Sequence, residues 1–219
     1  MMKQRIGIFG GTFSPPHVGH VRAASAFLAH MNPPGTEPEE RMKLLVMPAA
    51  LPPHKTMTDR ADPQIRLAMC RAAFGDLPDT EVSDYEITRG GISYTVLTLE
   101  HFAALDRELW LFCGEDMFLT LDLWFRAEEI FSLARIAAHG REIAGFPKME
   151  EKKREYEERF GKPILLLPDE PLEVSSTRIR ELAAAGEDLG PFVPPGVAAI
   201  IRSERLYGYG EQHDPENVE

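Results

Sequence analysis

Short apolar runs and stretches of helical periodicity alternate along the chain. Arg5 to Phe9 (RIGIF) is apolar and stops at Gly10-Gly11, as a buried parallel strand does when it opens into a loop. From Val18 to Leu28 apolar and small residues recur at helical spacing, so the first unit reads strand, loop, helix. Lys43 to Pro48 (KLLVMP) predicts a second strand, and Asp62-Pro63 supplies an N-cap and a first-turn proline for a helix reaching about Phe74. Further strands are expected at Glu81 to Ser83, Leu109 to Cys113, Arg135 to His139 and Pro163 to Leu167, with helices around Thr95 to Leu105 and Lys148 to Phe160. Such short strands alternating with helices predict the α/β class with a doubly wound parallel sheet, whose ligands bind beyond the carboxyl ends of the strands. Gly10 lies at such an end. Asn32 to Arg41 (NPPGTEPEER) reads as an exposed loop and Glu150 to Arg159 (EEKKREYEER) as a solvated helix face; no internal repeat is visible. A single domain over residues 1–210 with a helical C-terminal part is expected, followed by a polar tail, 211–219, that frays.

Composition narrows the partners more than the fold. The 219 residues are 43% hydrophobic, enough for a sizeable core, yet no apolar run approaches the roughly 20 residues that span a bilayer. The N-terminus enters RIGIFGG directly, without a signal-peptide layout, so a soluble, cytoplasmic protein with no membrane partner is expected. A formal net charge of −11 disfavours long nucleic acid as a partner, while a compact basic pocket for one mononucleotide is compatible with it. Cys70 and Cys113, far apart, read as buried apolar residues and not as a disulfide framework or a metal site.

The candidate chemistry begins at Gly10 to His20 (GGTFSPPHVGH), which is neither G-x-G-x-x-G nor a Walker loop ending in Gly-Lys-Ser/Thr. Glycines after a strand still let a ligand approach the backbone, and the N–H groups of the next helix start attract phosphate. His17 and His20 stand at i and i+3 on one face of the first turn, with Gly19 removing a side chain where a ligand could press. Two imidazoles so placed can donate to phosphoryl oxygens as charge builds on them. Taken alone, the pair also fits a helix start beside a packed histidine, and as an i, i+3 metal site it lacks a nearby cluster to complete it. In Val174 to Arg180 (VSSTRIR), Ser and Thr can cap a new helix while offering hydroxyls and N–H groups to an anion, and Arg180 adds a fixed charge. Such a set suits the β- and γ-phosphates of a nucleotide; read alone, it is an ordinary helix cap.

Together these segments resemble the paired signatures of the HxGH nucleotidyltransferase superfamily, the second usually written ISSTxIR, with Val174 replacing Ile. The similarity extends through PAALPPHK (Pro48 to Lys55), DYEITRGGISYTVLTL (Asp84 to Leu99), LFCGEDMFLTLDLW (Leu111 to Trp124) and the C-terminal IIRSERLYG. Within the superfamily the chain looks like the bacterial nicotinate-nucleotide adenylyltransferases, from about Ile6 to Tyr207. Ser14 departs from the family's common Asp, and Arg141 lies where the family often reads Arg-Pro-Gly, without that proline.

The resemblance implies a Rossmann-like fold that joins ATP, carried with Mg²⁺, to nicotinate mononucleotide, giving nicotinate adenine dinucleotide and pyrophosphate. It implies catalytic roles for His17, His20 and Arg180, and contacts to ATP from Gly10, Gly11, Thr12, Phe13, Lys55, Gly114, Asp116, Ser176 and Thr177. Thr95, Trp124 and Phe125 would hold the pyridine nucleotide, Trp124 by stacking and the other two through backbone groups near them that receive its carboxylate. Trp124 also reads as a core tryptophan, Lys55 (beside His54) as an exposed loop lysine, and Asp116 as a helix N-cap. Three rival readings stand beside this one: an enzyme that prefers or also accepts nicotinamide mononucleotide, a phosphopantetheine adenylyltransferase, and a non-catalytic nucleotide sensor. Phosphopantetheine enzymes are typically shorter and have no need of RGGISYT and Trp124; a sensor would have lost an imidazole or the arginine. Homo-oligomer formation stays open.

Overall fold

A computed structural model describes residues 3–53, 61–140, 146–168 and 174–210. Six strands, β1 (Arg5–Gly11), β2 (Lys43–Pro48), β3 (Thr80–Val82), β4 (Glu108–Gly114), β5 (Ala134–Gly140) and β6 (Ile164–Pro168), form a parallel sheet in the order β3-β2-β1-β4-β5-β6. The helices are α1 (Val18–Met31), α2 (Pro63–Phe74), α3 (Tyr85–Arg89), α4 (Thr95–Ala103), α5 (Glu115–Phe118), α6 (Ala127–Leu133), α7 (Phe146–Phe160), α8 (Ser176–Ala184) and α9 (Pro195–Ser203). The chain builds outward from β1 to β3 and then returns to pair β4 on the other side of β1. The strand order therefore reverses between β1 and β4, where a crevice opens at the carboxyl ends. Among the described residues no helix is long and apolar enough to cross a membrane.

The period-2 alternation of the strands divides the core between two faces. Ile6, Ile8, Leu45, Met47, Leu109 and Leu111 pack with α4, α6 and α7. Phe9, Leu44, Val46 and Phe112 pack with α1 and α2, where the Phe27 and Phe112 rings stack at 4.5 Å. A third cluster joins α8 and α9 to Met69 of α2, which carries the C-terminal part back to the start of α1. Both cysteines are buried, and burial raises both thiols, Cys113 to about 12.

All six strands fall where the alternation predicts them, within one or two residues, except that β1 does not stop at Phe9. It continues through both glycines, Gly10 opposite Met47 and Gly11 opposite Pro48. The reason is at Phe13, whose backbone is left-handed (φ 49°) and whose ring folds back over the strand. A Cβ on Gly11 would come within 2.9 Å of that ring, so glycine lets the strand run on beneath it. α4 ends at Ala103, and α3, α5 and α6 are additions to the predicted elements. The charged stretch on α7 is amphipathic: Tyr156 within it is fully buried. Asn32, at the start of the expected loop, is likewise buried and exchanges hydrogen bonds with the Met42 backbone at 3.0 and 2.7 Å.

Candidate active site

The β1–α1 corner is built by packing as much as by turn chemistry. The Phe13 ring sits edge-on to Phe9 and Phe74 in the core, leaving its backbone and those of Gly10, Gly11 and Thr12 along the carboxyl edge. His17 has extended backbone and is the N-cap of α1; the residue is only 2% exposed. His20 follows one turn in, partly exposed, with its ring centroid 3.6 Å from that of His17 and tilted by 34°. The His17 N–H donates to His20 Nδ1 at 3.2 Å, so a neutral His20 carries its proton on Nε2. Gly19 makes this pairing possible: a Cβ there would lie 3.1 Å from the His17 ring and 3.0 Å from Val174. The space that the sequence suggests for a ligand is filled by His17 itself and by the second motif.

That second motif docks directly on the first. Ser175 is the N-cap of α8, its hydroxyl accepting from the Arg178 N–H at 3.1 Å. Ser176 Oγ donates to the Pro15 carbonyl at 2.9 Å, and Arg180 donates to the Ser14 carbonyl at 3.0 Å and to Thr177 Oγ1 at 3.2 Å. Arg178 faces outward toward Glu181. Ser14 Oγ shares a hydrogen bond of 3.0 Å with the Tyr207 hydroxyl and lies 3.4 Å from the Ala61 N–H that donates to it. Burial pushes Tyr207 up to about 12, against the lowering effect of Ser14.

From Gly10, Gly11 and Thr12 a cleft of about 310 Å³ runs to an aromatic wall at Tyr94, Trp124 and Phe125. Thr95 and Asp116 also line it, so seven residues singled out in the sequence share one cleft. Trp124 is half-buried and packs on the core while lining the cleft; Phe125 is 51% exposed and meets Tyr94 at 4.6 Å between ring centroids, tilted by 39°. Asp116 is not the N-cap of α5, a place taken by Gly114; it sits exposed in the first turn. His17, His20, Phe13, Gly114, Ser176, Thr177 and Arg180 are not among the residues lining the cleft. Lys55, His54 and Arg141 lie outside the described residues. Among the described residues no group of three or more His, Cys, Asp or Glu is placed to hold a metal ion.

Two buried charged groups that the motifs do not announce support the cleft, Arg66 from behind its lining and Glu86 within it. Arg66, on α2, is buried and donates to the carbonyls of Ala61 (3.1 Å), Thr12 (2.8 Å) and Ala50 (3.1 Å), tying the ends of β1 and β2 to the start of the helix. Its signal is a cation on the same helical stripe as Met69, Cys70 and Ala73. Glu86, on α3, is a buried acid in the cleft wall; burial raises its carboxyl above the ordinary range, against lowering by Thr98 and Ser93.

A cleft at the reversal of strand order, fed by a glycine corner and a docked helix start, defines a nucleotide-binding protein of the doubly wound α/β class. The chain belongs to the Cytidylyltransferase-like family, which matches residues 8–182, and within it to the nicotinate-nucleotide adenylyltransferases. It is 36% identical over 206 residues to a "Probable nicotinate-nucleotide adenylyltransferase" of Clostridium botulinum, covering 93% of this chain and 98% of that one. The protein of the same description from Clostridium beijerinckii is 34% identical over 213 residues, covering 93% and 99%. Nicotinic acid mononucleotide adenylyltransferase of Plasmodium falciparum, solved with NaAD, shares the fold at a TM-score of 0.68 and 15% identity, over 95% of this chain and 100% of that one.

Proposed function

We propose that this protein transfers the adenylyl group of ATP to nicotinate mononucleotide. The reading is supported by one observation above all: Gly10 to Thr12 and the aromatic wall stand at two ends of one cleft, with the paired imidazoles of His17 and His20 following the glycine corner at the start of α1, outside the cleft lining. The names of the relatives, at 34–36% identity, support the same substrates.

An oxygen of the mononucleotide phosphate attacks the α-phosphorus of ATP; the new P–O bond forms as the bond to the β-phosphate bridge breaks, and pyrophosphate leaves with the electron pair. The nucleophile is already anionic, so no protein nucleophile is required, and positioning with charge neutralisation supplies the catalysis. His20 donates from Nε2 and His17 stands beside it, holding α-phosphate and bridging oxygens. Ser176 and Thr177 donate hydrogen bonds to the leaving group, and Arg180 and Lys55 offset its charge. The backbone of Gly10 to Phe13 follows the phosphates, and Gly114 and Asp116 take the ATP ribose. Trp124 stacks on the pyridine while backbone groups at Thr95 and Phe125 receive its carboxylate. No carboxylate cluster among the described residues is placed to hold a metal, so Mg²⁺ would come with ATP and would offset the charge of its phosphates.

The test is pyrophosphate release from ATP with nicotinate mononucleotide, nicotinamide mononucleotide or phosphopantetheine as acceptor. The acid mononucleotide is expected to give the highest kcat/KM. Equal rates with the amide would refute the acid preference, turnover with phosphopantetheine alone would refute the substrate class, and ATP binding without turnover on any acceptor would refute catalysis.

A further inference from the structure

The mechanism above gives Glu86 no task, although it is 94% buried in the wall of the cleft (6% exposed). Thr98 Oγ1 donates to Glu86 Oε1 at 2.6 Å, and the nearby Ser93 hydroxyl favours the charged form of the same carboxyl. These partners bracket Thr95: Ser93 stands two residues before it and Thr98 one helical turn inside α4. Ser93 is fixed in turn, its Oγ accepting from Ala50 N–H at 2.9 Å and its own N–H donating to Leu51 O at 2.8 Å. Arg66 holds the Ala50 and Thr12 carbonyls, so a chain of hydrogen bonds runs from the glycine corner to the start of α4.

We infer that Glu86 is a positioning residue that fixes the Ser93-to-Thr98 turn and thereby sets the preference for a carboxylate over a carboxamide on the pyridine ring. The inference rests on the substrate reading above. Backbone donors at a helix start favour the carboxylate by its charge and by its two acceptor oxygens, since the carboxamide has one acceptor and an NH₂ that cannot accept, and both advantages depend on where the donors are held. A bond to a charged acceptor gains more from good alignment than a bond to a neutral one, and so loses more when its donor drifts. Glu86 reaches the turn from behind, bonded to Thr98 inside α4 and acting on Ser93 on the other side of Thr95. The glycine corner is held directly by the Arg66 bond to the Thr12 carbonyl, a bond that Glu86 does not make.

The experiment measures kcat/KM for nicotinate and nicotinamide mononucleotides, with the KM for ATP, in the wild-type protein and in Glu86→Gln and Thr98→Val, with thermal melting to verify folding. Gln keeps the size but gives up one acceptor oxygen; Val removes only the hydroxyl that reaches Glu86. The acid-to-amide ratio is expected to fall by about tenfold in each variant while the ATP KM stays within about twofold. An unchanged ratio in the folded variants, or an ATP KM that rises in step with the mononucleotide KM, overturns the inference. If Glu86→Gln does not fold, Thr98→Val decides by the same criteria. A wild-type protein without preference for the acid would refute the substrate reading itself, a failure distinct from that of the variants.

Discussion

The two ends of the cleft are held in different ways. At the glycine corner, Ser14, Pro15 and Thr12 are gripped by groups from distant parts of the chain: Arg66, Ser176, Arg180 and Tyr207. His17 is buried and its partner ring lies in contact. At the aromatic end, Phe125 and Leu123 are 51% and 76% exposed, and Leu51 and Ile92 also meet solvent. Here the supports lie behind the wall. Asp122 accepts from the Tyr156 hydroxyl at 2.8 Å and pairs with Lys152 at 3.0 Å, while Arg126 pairs with Glu129 and, at 2.6 Å, with Glu100 of α4. The contrast matches two demands: phosphoryl transfer needs donors fixed to a fraction of an ångström, whereas taking up a ring tolerates a surface that adjusts.

Breaking the rigid end should cost turnover, and breaking the adaptable end should cost binding. The largest effect is expected for His20→Ala, with kcat lowered by about 10²–10³ and melting behaviour unchanged; normal turnover in the folded variant would remove His20 from the mechanism. Next comes Arg180→Ala, which loses both the charge and the hold on the Ser14 carbonyl. An ATP KM raised by about 10-fold or more is expected, with partial recovery in Arg180→Lys, because lysine restores charge but not the planar fork. Trp124→Ala should raise the mononucleotide KM about fivefold, for roughly 1 kcal/mol of stacking, and leave kcat in place; a fall in kcat alone would contradict the division of labour. Ser14→Ala should lower stability by about 1 kcal/mol in chemical denaturation, from the lost bond to Tyr207.

The smallest effect concerns pH. Burial opposes the charged form of Asp122, but the hydrogen bonds from Tyr156 and Lys152 outweigh it and hold the carboxyl below its ordinary value. A depressed carboxyl contributes stability that is present above the unfolded value and lost as pH falls through the folded one. Asp122→Asn should therefore lower stability near neutrality, by a difference that shrinks as pH falls, so that the acid limb of the variant is flatter. An acid limb identical to that of the wild type would show that the aromatic wall is supported elsewhere.

The sheet is legible in the sequence because central parallel strands, buried on both faces, must be apolar throughout and are bounded by glycine, proline and charge. KLLVMP is read to the residue for that reason. α3, α5 and α6, of 5, 4 and 7 residues, are too short for helical periodicity to register. At the site, the motifs locate the glycine corner and α8 but not the contact between them, since nothing local in VSSTRIR says that Ser176 and Arg180 reach Pro15 and Ser14. Glu86 and Arg66 escape for a related reason. Each looks like a surface charge on a helix, and its burial follows from the meeting of elements far apart in the chain.

The bonds that join Ser14 to Arg180 and Tyr207 span 166 and 193 residues. Closing so long a loop carries its entropic cost before the contact returns anything, so such contacts form late, once the intervening sheet has brought the ends together. During synthesis the strands and their flanking helices emerge well before Tyr207. A chain synthesised only as far as β6 holds all six strands and still lacks Ser176, Arg180 and Tyr207, so the corner around Ser14 and Pro15 closes last.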